Sequence, residues 1–223
     1  MIVRGLLKPE ELEAVDRCLV SAVFENGAST AATAARGAKH NLQLPRRGSP
    51  AGEQVGELVL AAIRQSPLIQ AALLPKWVLH PIVSRYEPGM GYGPHTDSPL
   101  MSDGQLTVRT DVGMTLFLSP PSTYAGGELE VQTPAGPERY RLDRGDAVLY
   151  PTTRLHRVLP VTSGVRLAVV TWMQCAVRDA ECRELLFQLK SAQTLVERRD
   201  PQAPENLALL QVYANLVRRW AEI

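Results

Sequence analysis

The hydrophobic pattern changes period twice along the chain and so divides it into three stretches. From Pro9 onward Leu12, Val15, Leu19, Ala22 and Val23 recur at helical spacing, with Glu10 and Glu11 in the first turn, where the helix dipole favours acidic groups. Ala31 to Arg47 is rich in small and polar residues and reads as a loop. Ser49-Pro50 then starts a second helix, a capping hydroxyl followed by a proline that needs no donor in the first turn. Val55, Leu58, Val59, Ala62 and Ile63 form its apolar stripe.

From Trp77 the period shortens to that of strands. The candidates are Leu79 to Tyr86, Leu106 to Leu118, Glu128 to Val131, Arg139 to Leu142, Ala147 to Tyr150, Leu155 to Val161 and Val165 to Met173. Ser119-Pro120-Pro121, Gly126-Gly127, Pro134-Ala135-Gly136-Pro137 and Arg144-Gly145-Asp146 punctuate them as turns. Many short strands without intervening helices predict a sandwich or jelly roll rather than a parallel sheet. After Val177 the helical period returns: Leu185, Leu186, Leu189 and Leu195 mark one helix, and Leu207, Leu210, Leu216, Val217 and Trp220 another. Asp200-Pro201-Gln202-Ala203-Pro204 separates them. The expected organisation is a helical region over 1–76, a β core over 77–176 and a C-terminal helical hairpin over 177–223. The hairpin's apolar stripes are expected to pack on the barrel, with packing on each other or on a second copy, a homodimer, as the alternatives.

Composition narrows the class. A chain of 223 residues can bury a sizeable core, and a net charge of +1 gives no reason to expect a nucleic-acid or membrane-surface partner. Cys18, Cys175 and Cys182 are an odd number at unrelated spacings with no CxxC pair, so neither a disulfide framework nor a cysteine zinc site is supported. The N-terminal apolar run is too short for a signal peptide and nothing approaches a membrane span. The expectation is a soluble, cytoplasmic protein.

The candidate chemistry lies in Arg85-Tyr86-Glu87-Pro88-Gly89-Met90-Gly91-Tyr92-Gly93-Pro94-His95-Thr96-Asp97. It ends in His-x-Asp, and residues two apart on an extended strand point to one face. A further imidazole, His156, follows far downstream. Two imidazoles and one carboxylate can occupy one face of a ferrous ion and leave the other open, as an oxygenase requires. The competing readings are a solvated turn for His95 and a core histidine for His156. Arg166 interrupts the apolar strand Val165 to Trp172, sharing a face with Ala168, Val170 and Trp172. It is either paired with a surface carboxylate or a guanidinium fork for a carboxylate ligand. Tyr86 and Tyr92 are candidates for lining a pocket, or packed aromatics. Arg109 and Asp111 could contact substrate or form a salt bridge at a sheet edge. His40 and His80 have no partner pattern.

Taken together, Arg85-Tyr86-x-x-Gly89-x-x-Tyr92-x-x-His95-x-Asp97, His156 and Arg166 resemble the Fe(II)- and 2-oxoglutarate-dependent dioxygenases of prolyl-hydroxylase type. Arg109-Thr110-Asp111, Leu116-Phe117-Leu118-Ser119, Gly126-Gly127-Glu128-Leu129, Gly145 to Pro151 and Trp220-Ala221-Glu222-Ile223 look like the bacterial PKHD-type hydroxylases, the PiuC iron-uptake-factor group. The resemblance covers nearly the whole chain. It implies a mixed α/β fold, a double-stranded β-helix with N-terminal helices packed on it and a C-terminal helical hairpin. It also implies His95, Asp97 and His156 as iron ligands, with Arg166 on the far carboxylate of 2-oxoglutarate; Tyr86 is then the candidate for a co-substrate contact. Dioxygen is then a co-substrate, succinate and carbon dioxide are released, and ascorbate is a supporting reductant. The substrate, a small molecule or a peptide, is linked by the family association to iron acquisition. Arginine stands where collagen-type animal prolyl hydroxylases carry lysine for the far carboxylate. A different class, a sensor that holds iron or a keto acid without turnover, would use the same residues. A nucleic-acid demethylase fits poorly with the balanced charge.

Overall fold

The computed structural model describes residues 1–30, 37–45, 48–104 and 106–222. In chain order the elements are β1 (Ile2–Val3), α1 (Pro9–Leu19), β2 (Glu25–Asn26), β3 (Lys39–His40), β4 (Leu42–Gln43), α2 (Pro50–Gln65) and α3 (Pro67–Leu73). Then come β5 (Pro75–Val78), β6 (Ile82–Tyr86), β7 (Gly91–His95), β8 (Leu100–Asp103), β9 (Leu106–Arg109) and β10 (Val112–Phe117). The strand region continues with β11 (Tyr124–Gly126), β12 (Leu129–Thr133), β13 (Gly136–Tyr140), β14 (Ala147–Pro151), β15 (His156–Val158), β16 (Val161–Gly164) and β17 (Arg166–Cys175). Helices α4 (Ala180–Arg199) and α5 (Pro204–Trp220) follow.

The larger sheet runs β1-β14-β10-β17-β6-β4-β2, with β5 also paired to β17. The smaller runs β13-β12-β15-β7-β3, and β8–β9 and β11–β16 form two-stranded ribbons. This is the jelly roll. Its larger sheet is covered on both faces, which is why all six residues of β10 are buried. Val112, Met114 and Leu116 join Ala147, Leu149, Val169 and Met173 in a core shared with Val15, Val55, Val59, Ile63 and Ile69 of the helices. On the other face Tyr86, Phe117, Val148 and Tyr150 meet Leu129, Val131 and Val158 of the smaller sheet. Each strand of the larger sheet thus sends alternate side chains to the helices and to the barrel interior.

Local chemistry explains the helices. The Ser49 hydroxyl accepts from the Gly52 N–H at 3.2 Å, and the same Ser-Pro signal at Ser66-Pro67 ends α2 and starts α3. The helix α3 is an addition to the sequence reading, whose stripe stopped at Ile63. A second difference concerns the first stretch, read as helical with a loop over 31–47. It also supplies β1, β2, β3 and β4, which pair with β14, β4, β7 and β6. Each of these strands is two residues long, too short to imprint a period; β1, β3 and β4 pair with longer strands, and β2 with β4. Of that loop, residues 31–36 and 46–47 lie outside the described residues. The candidate Leu106 to Leu118 divides at Thr110-Asp111, where the chain leaves a ribbon and enters the larger sheet. Among the described residues no helix is long and apolar enough to cross a membrane.

The C-terminal hairpin packs α4 against both α5 and α3. A buried hydrogen bond, Gln193 Nε2 to Asn206 Oδ1 at 3.1 Å, joins the two helices. The buried Arg183 donates to the carbonyls of Val177 and Arg178 at 2.8 and 2.7 Å, fixing the hairpin's entry. Its stripes divide in their burial: Leu186 is fully buried, whereas Leu195 and Leu207 are 67% and 74% exposed. Leu186→Ala should therefore lower the unfolding free energy by about 2–5 kcal/mol. Leu207→Ala should stay within about 0.5 kcal/mol of the parent. Urea denaturation of both variants checks this contrast, and equal losses would contradict the packing described.

Candidate metal centre

His95 is the last residue of β7 and His156 the first of β15, and the antiparallel register sets them opposite each other. Asp97 lies just past the end of β7, so three chain positions converge where two strands of the smaller sheet meet its rim. One ligating atom from each lies within 4.8 Å of the others, and His156 Nε2 is 3.6 Å from Asp97 Oδ2. A carbonyl cannot donate, so the two imidazole contacts fix the tautomers. His95 Nδ1–H donates to Gly93 O at 2.8 Å and His156 Nδ1–H to Arg154 O at 2.9 Å. Each Nε2 is left with a free lone pair, the form in which imidazole binds metal.

Aromatic rings pack on the two imidazoles. Tyr92 stacks on His95 with centroids 3.6 Å apart, and Tyr150 lies 4.9 Å from the His156 ring. Burial, aided by His156 and Lys39 and opposed by the Gly93 hydrogen bond, pulls the His95 pKa down to about 4. Burial also raises that of Asp97, against the pull of His156, a hydrogen bond from Trp172 and Lys39. The Tyr92 phenol is pushed up to about 12, chiefly by burial. Burial thus disfavours the charged forms of both His95 and Asp97. Asp97 Oδ2 is buried with no hydrogen-bond partner among the described residues. Neutral imidazoles, a carboxylate with an orphaned oxygen and no thiolate make a donor set that fits a divalent iron ion.

The cluster opens into a cavity of about 400 Å³. Ile82, Leu129, Val158 and Val170 supply apolar wall; Lys39, Gln43, Thr115 and Trp172 supply polar groups; Leu100, Met101 and Ser102 form one side. Arg166 also lines it. At 1% exposure it is among the largest fully buried side chains, and its Nε and Nη2 have no hydrogen-bond partner among the described residues. The guanidinium lies 5.2 Å from the Tyr86 ring and 5.3 Å from that of Phe117. Gly127 makes this placement feasible. Its φ is +69°, and a Cβ there would stand 3.0 Å from Arg166 Cδ and 2.9 Å from Val161 Cγ2. The Gly-Gly pair, legible as a turn, is therefore also a clearance.

The structure brings together His95, Asp97, His156, Arg166 and Tyr92, and places Tyr86 behind Arg166 with its hydroxyl pKa raised by burial. It separates Arg109 and Asp111 from the cavity. Their side chains bind each other at 2.7 Å, and Arg109 also binds Glu222, so they form the salt bridge and not a pocket wall. His80 packs over Gly56, and His40 is exposed on β3. The cysteines are free. Lys39, Gly113 and Tyr150 were missed as site residues, and Trp172, read chiefly as core, lines the cavity. Gly113 leaves no room beside Asp97, since a Cβ there would be 3.4 Å from Oδ2 and 3.2 Å from the Tyr150 ring. Trp172 was legible through its alternation with Arg166; the other three carried no signal of their own.

Comparison with known proteins agrees with this geometry. Residues 81–174 match the model of the 2OG-Fe(II) oxygenase superfamily, and residues 179–222 that of the PKHD-type hydroxylase C-terminal domain. A PKHD-type hydroxylase of Synechococcus sp. (strain JA-2-3B'a(2-13)) is 40% identical over 223 residues, covering 100% of this chain and 99% of the relative. One from Hyphomonas neptunium is 45% identical over 219 residues, covering 97% and 96%. Among solved structures, a Burkholderia pseudomallei oxidoreductase of the 2OG-Fe(II) oxygenase family superposes with a TM-score of 0.58 at 16% identity, over 78% of this chain and 84% of that one. A Pseudomonas putida prolyl-4-hydroxylase gives 0.52 at 18%, over 78% and 91%, and these two likenesses speak for the fold. By its full-length relatives and its two domain matches, this chain belongs to the PKHD-type hydroxylases of the 2OG-Fe(II) oxygenase superfamily.

Proposed function

We propose that the chain hydroxylates a small-molecule or peptidyl substrate in this cavity, using Fe(II), 2-oxoglutarate and dioxygen and releasing succinate and carbon dioxide. The observation that carries the reading is the buried guanidinium of Arg166 with two donors unsatisfied. A buried charge needs an anionic partner to offset its desolvation. The far carboxylate of a dicarboxylate would accept both donors in a planar fork. His95, Asp97 and His156 would hold the iron, which when bound supplies activation of dioxygen coupled to oxidative decarboxylation of the keto acid.

The chain's own residues do the positioning. Gly93 and Arg154 carbonyls hold the imidazoles in the tautomer a metal requires. Tyr92 and Tyr150 cover the rings, and the apolar wall from Ile82, Leu129 and Val170 lowers the local dielectric so that charged contacts strengthen. Ascorbate as supporting reductant, and a link to iron acquisition, follow from the family resemblance and belong to the same proposal.

Anaerobic addition of Fe(II) and 2-oxoglutarate should give the weak visible absorption of a ferrous keto-acid complex, lost in His95→Ala and in Asp97→Ala. Arg166→Ala should spare iron affinity and weaken 2-oxoglutarate binding by roughly 30- to 4,000-fold. Arg166→Lys should recover part of it, since an ammonium lacks the planar fork. Equal keto-acid affinity in the parent and Arg166→Ala would make Arg166 a structural charge.

A second outcome concerns Asp97, whose buried carboxylate oxygen lacks a partner. An amide is less costly to desolvate than a carboxylate, so Asp97→Asn should stabilise the metal-free chain by about 1 kcal/mol while weakening iron binding. Paired denaturation curves and iron titrations measure both effects. Destabilisation of the metal-free variant would show that the carboxylate is compensated without metal.

A further inference from the structure

Arg109-Thr110-Asp111 and the C-terminal Trp220-Ala221-Glu222 do not line the cavity beside the histidine pair, yet the fold brings Arg109 and Glu222, 113 residues apart in sequence, to one point. Arg109 ends β9, the second strand of the β8–β9 ribbon. That ribbon belongs to neither of the larger sheets, and its first strand forms one side of the cavity through Leu100, Met101 and Ser102. A two-stranded ribbon is marginal on its own, so its roots decide where it stands.

The first root follows Asp97 directly. There Thr110 Oγ1 donates to Ser98 O at 2.6 Å, and the Thr110 N–H donates to Pro99 O at 3.0 Å. The second root is Arg109. Its Nε and Nη2 donate to the two carboxylate oxygens of Asp111 at 2.7 and 3.1 Å, and Nη2 also reaches Cys175 O at 3.3 Å. Its backbone N–H donates to Gln174 Oε1 at 3.0 Å, and its Nη1 donates to Glu222 Oε2 at 2.7 Å. Asp111 is fixed in turn by the Cys175 N–H at 2.8 Å. Glu222 is held by its own backbone: its N–H donates to Ala176 O at 2.8 Å, and Ala221 bridges Val177. Beyond Asp111, the ties of Arg109 run to the end of β17 and to the segment after α5.

We infer that Glu222 is a positioning residue: through Arg109 and Asp111 it lets the C-terminal helical hairpin fix the β8–β9 ribbon that bounds the substrate side of the cavity. The word substrate rests on the proposed function; the mechanical link from the C-terminal segment to the ribbon does not. One exposed ion pair contributes modestly to global stability, so the effect is local and graded. Glu222 supplies one of several anchors, and its loss loosens the ribbon while Asp111 still holds Arg109.

Amide hydrogen exchange on the metal-free full chain tests this in the parent, Glu222→Gln, Glu222→Asp, Arg109→Gln and the Arg109→Gln/Glu222→Gln double variant. Amides over 100–109 should exchange about 3- to 10-fold faster in Glu222→Gln, with β6 and β10 unchanged. Glu222→Asp, which keeps the carboxylate, should fall between. The double variant should exchange no faster than Arg109→Gln, because Glu222 acts through Arg109. Iron-dependent 2-oxoglutarate affinity should be unaltered in Glu222→Gln. Parental exchange over 100–109, or acceleration confined to residues 176–222, would overturn the inference. If Arg166→Ala binds 2-oxoglutarate normally while the ribbon still responds to Glu222→Gln, the co-substrate reading fails and this one stands.

Discussion

The alternation of side chains along β17 is the constraint on which the rest of the molecule depends. Leu167, Val169, Met173 and Cys175 belong to or pack against the core under the helices, while Arg166, Val170 and Trp172, joined by Thr171, line the cavity. A slip of one residue would exchange these sets, burying a guanidinium among aliphatic side chains and opening a hydrophobic face to the cavity. Pairing on both sides, with β10 along one edge and with β6 and β5 along the other, forbids that slip. The position of Arg166 relative to the histidine pair is thus a matter of register across the barrel.

Much of this was legible in the residues. The period change at Trp77 and its reversal after Val177 gave the β core and the flanking helices, because long elements repeat their burial pattern often enough to be read. Ser49-Pro50 placed the start of α2 at the observed position, since a side-chain cap and a missing donor are local chemistry. What escaped was set by pairing across long sequence distances. The two-residue strands β3 and β4 have no period, and Lys39 enters the cavity wall because β3 aligns with Tyr92. The rim cluster was legible because histidine is scarce in this chain and His95 and His156 each sit on a strand. Tyr150 was hidden because an aromatic on a strand looks the same whether it faces a core or an imidazole.

Arg109 and Asp111 illustrate the same limit from the other side. Two opposite charges with one residue between them fit a pocket wall and an edge salt bridge equally well, and the sequence cannot say which surface the strand end faces. The fold decides by bringing Glu222 and the β17 terminus to that edge. A charge pair that seemed near the chemistry is a joint between parts of the scaffold.

The two imidazoles owe their orientation to main-chain carbonyls, Gly93 O and Arg154 O, rather than to acidic side chains. Backbone acceptors are in place as soon as the smaller sheet forms, so the ligand array is assembled by folding and not by the ion. An ion bound there would meet imidazoles already oriented, so little of its binding free energy would be spent on ordering them.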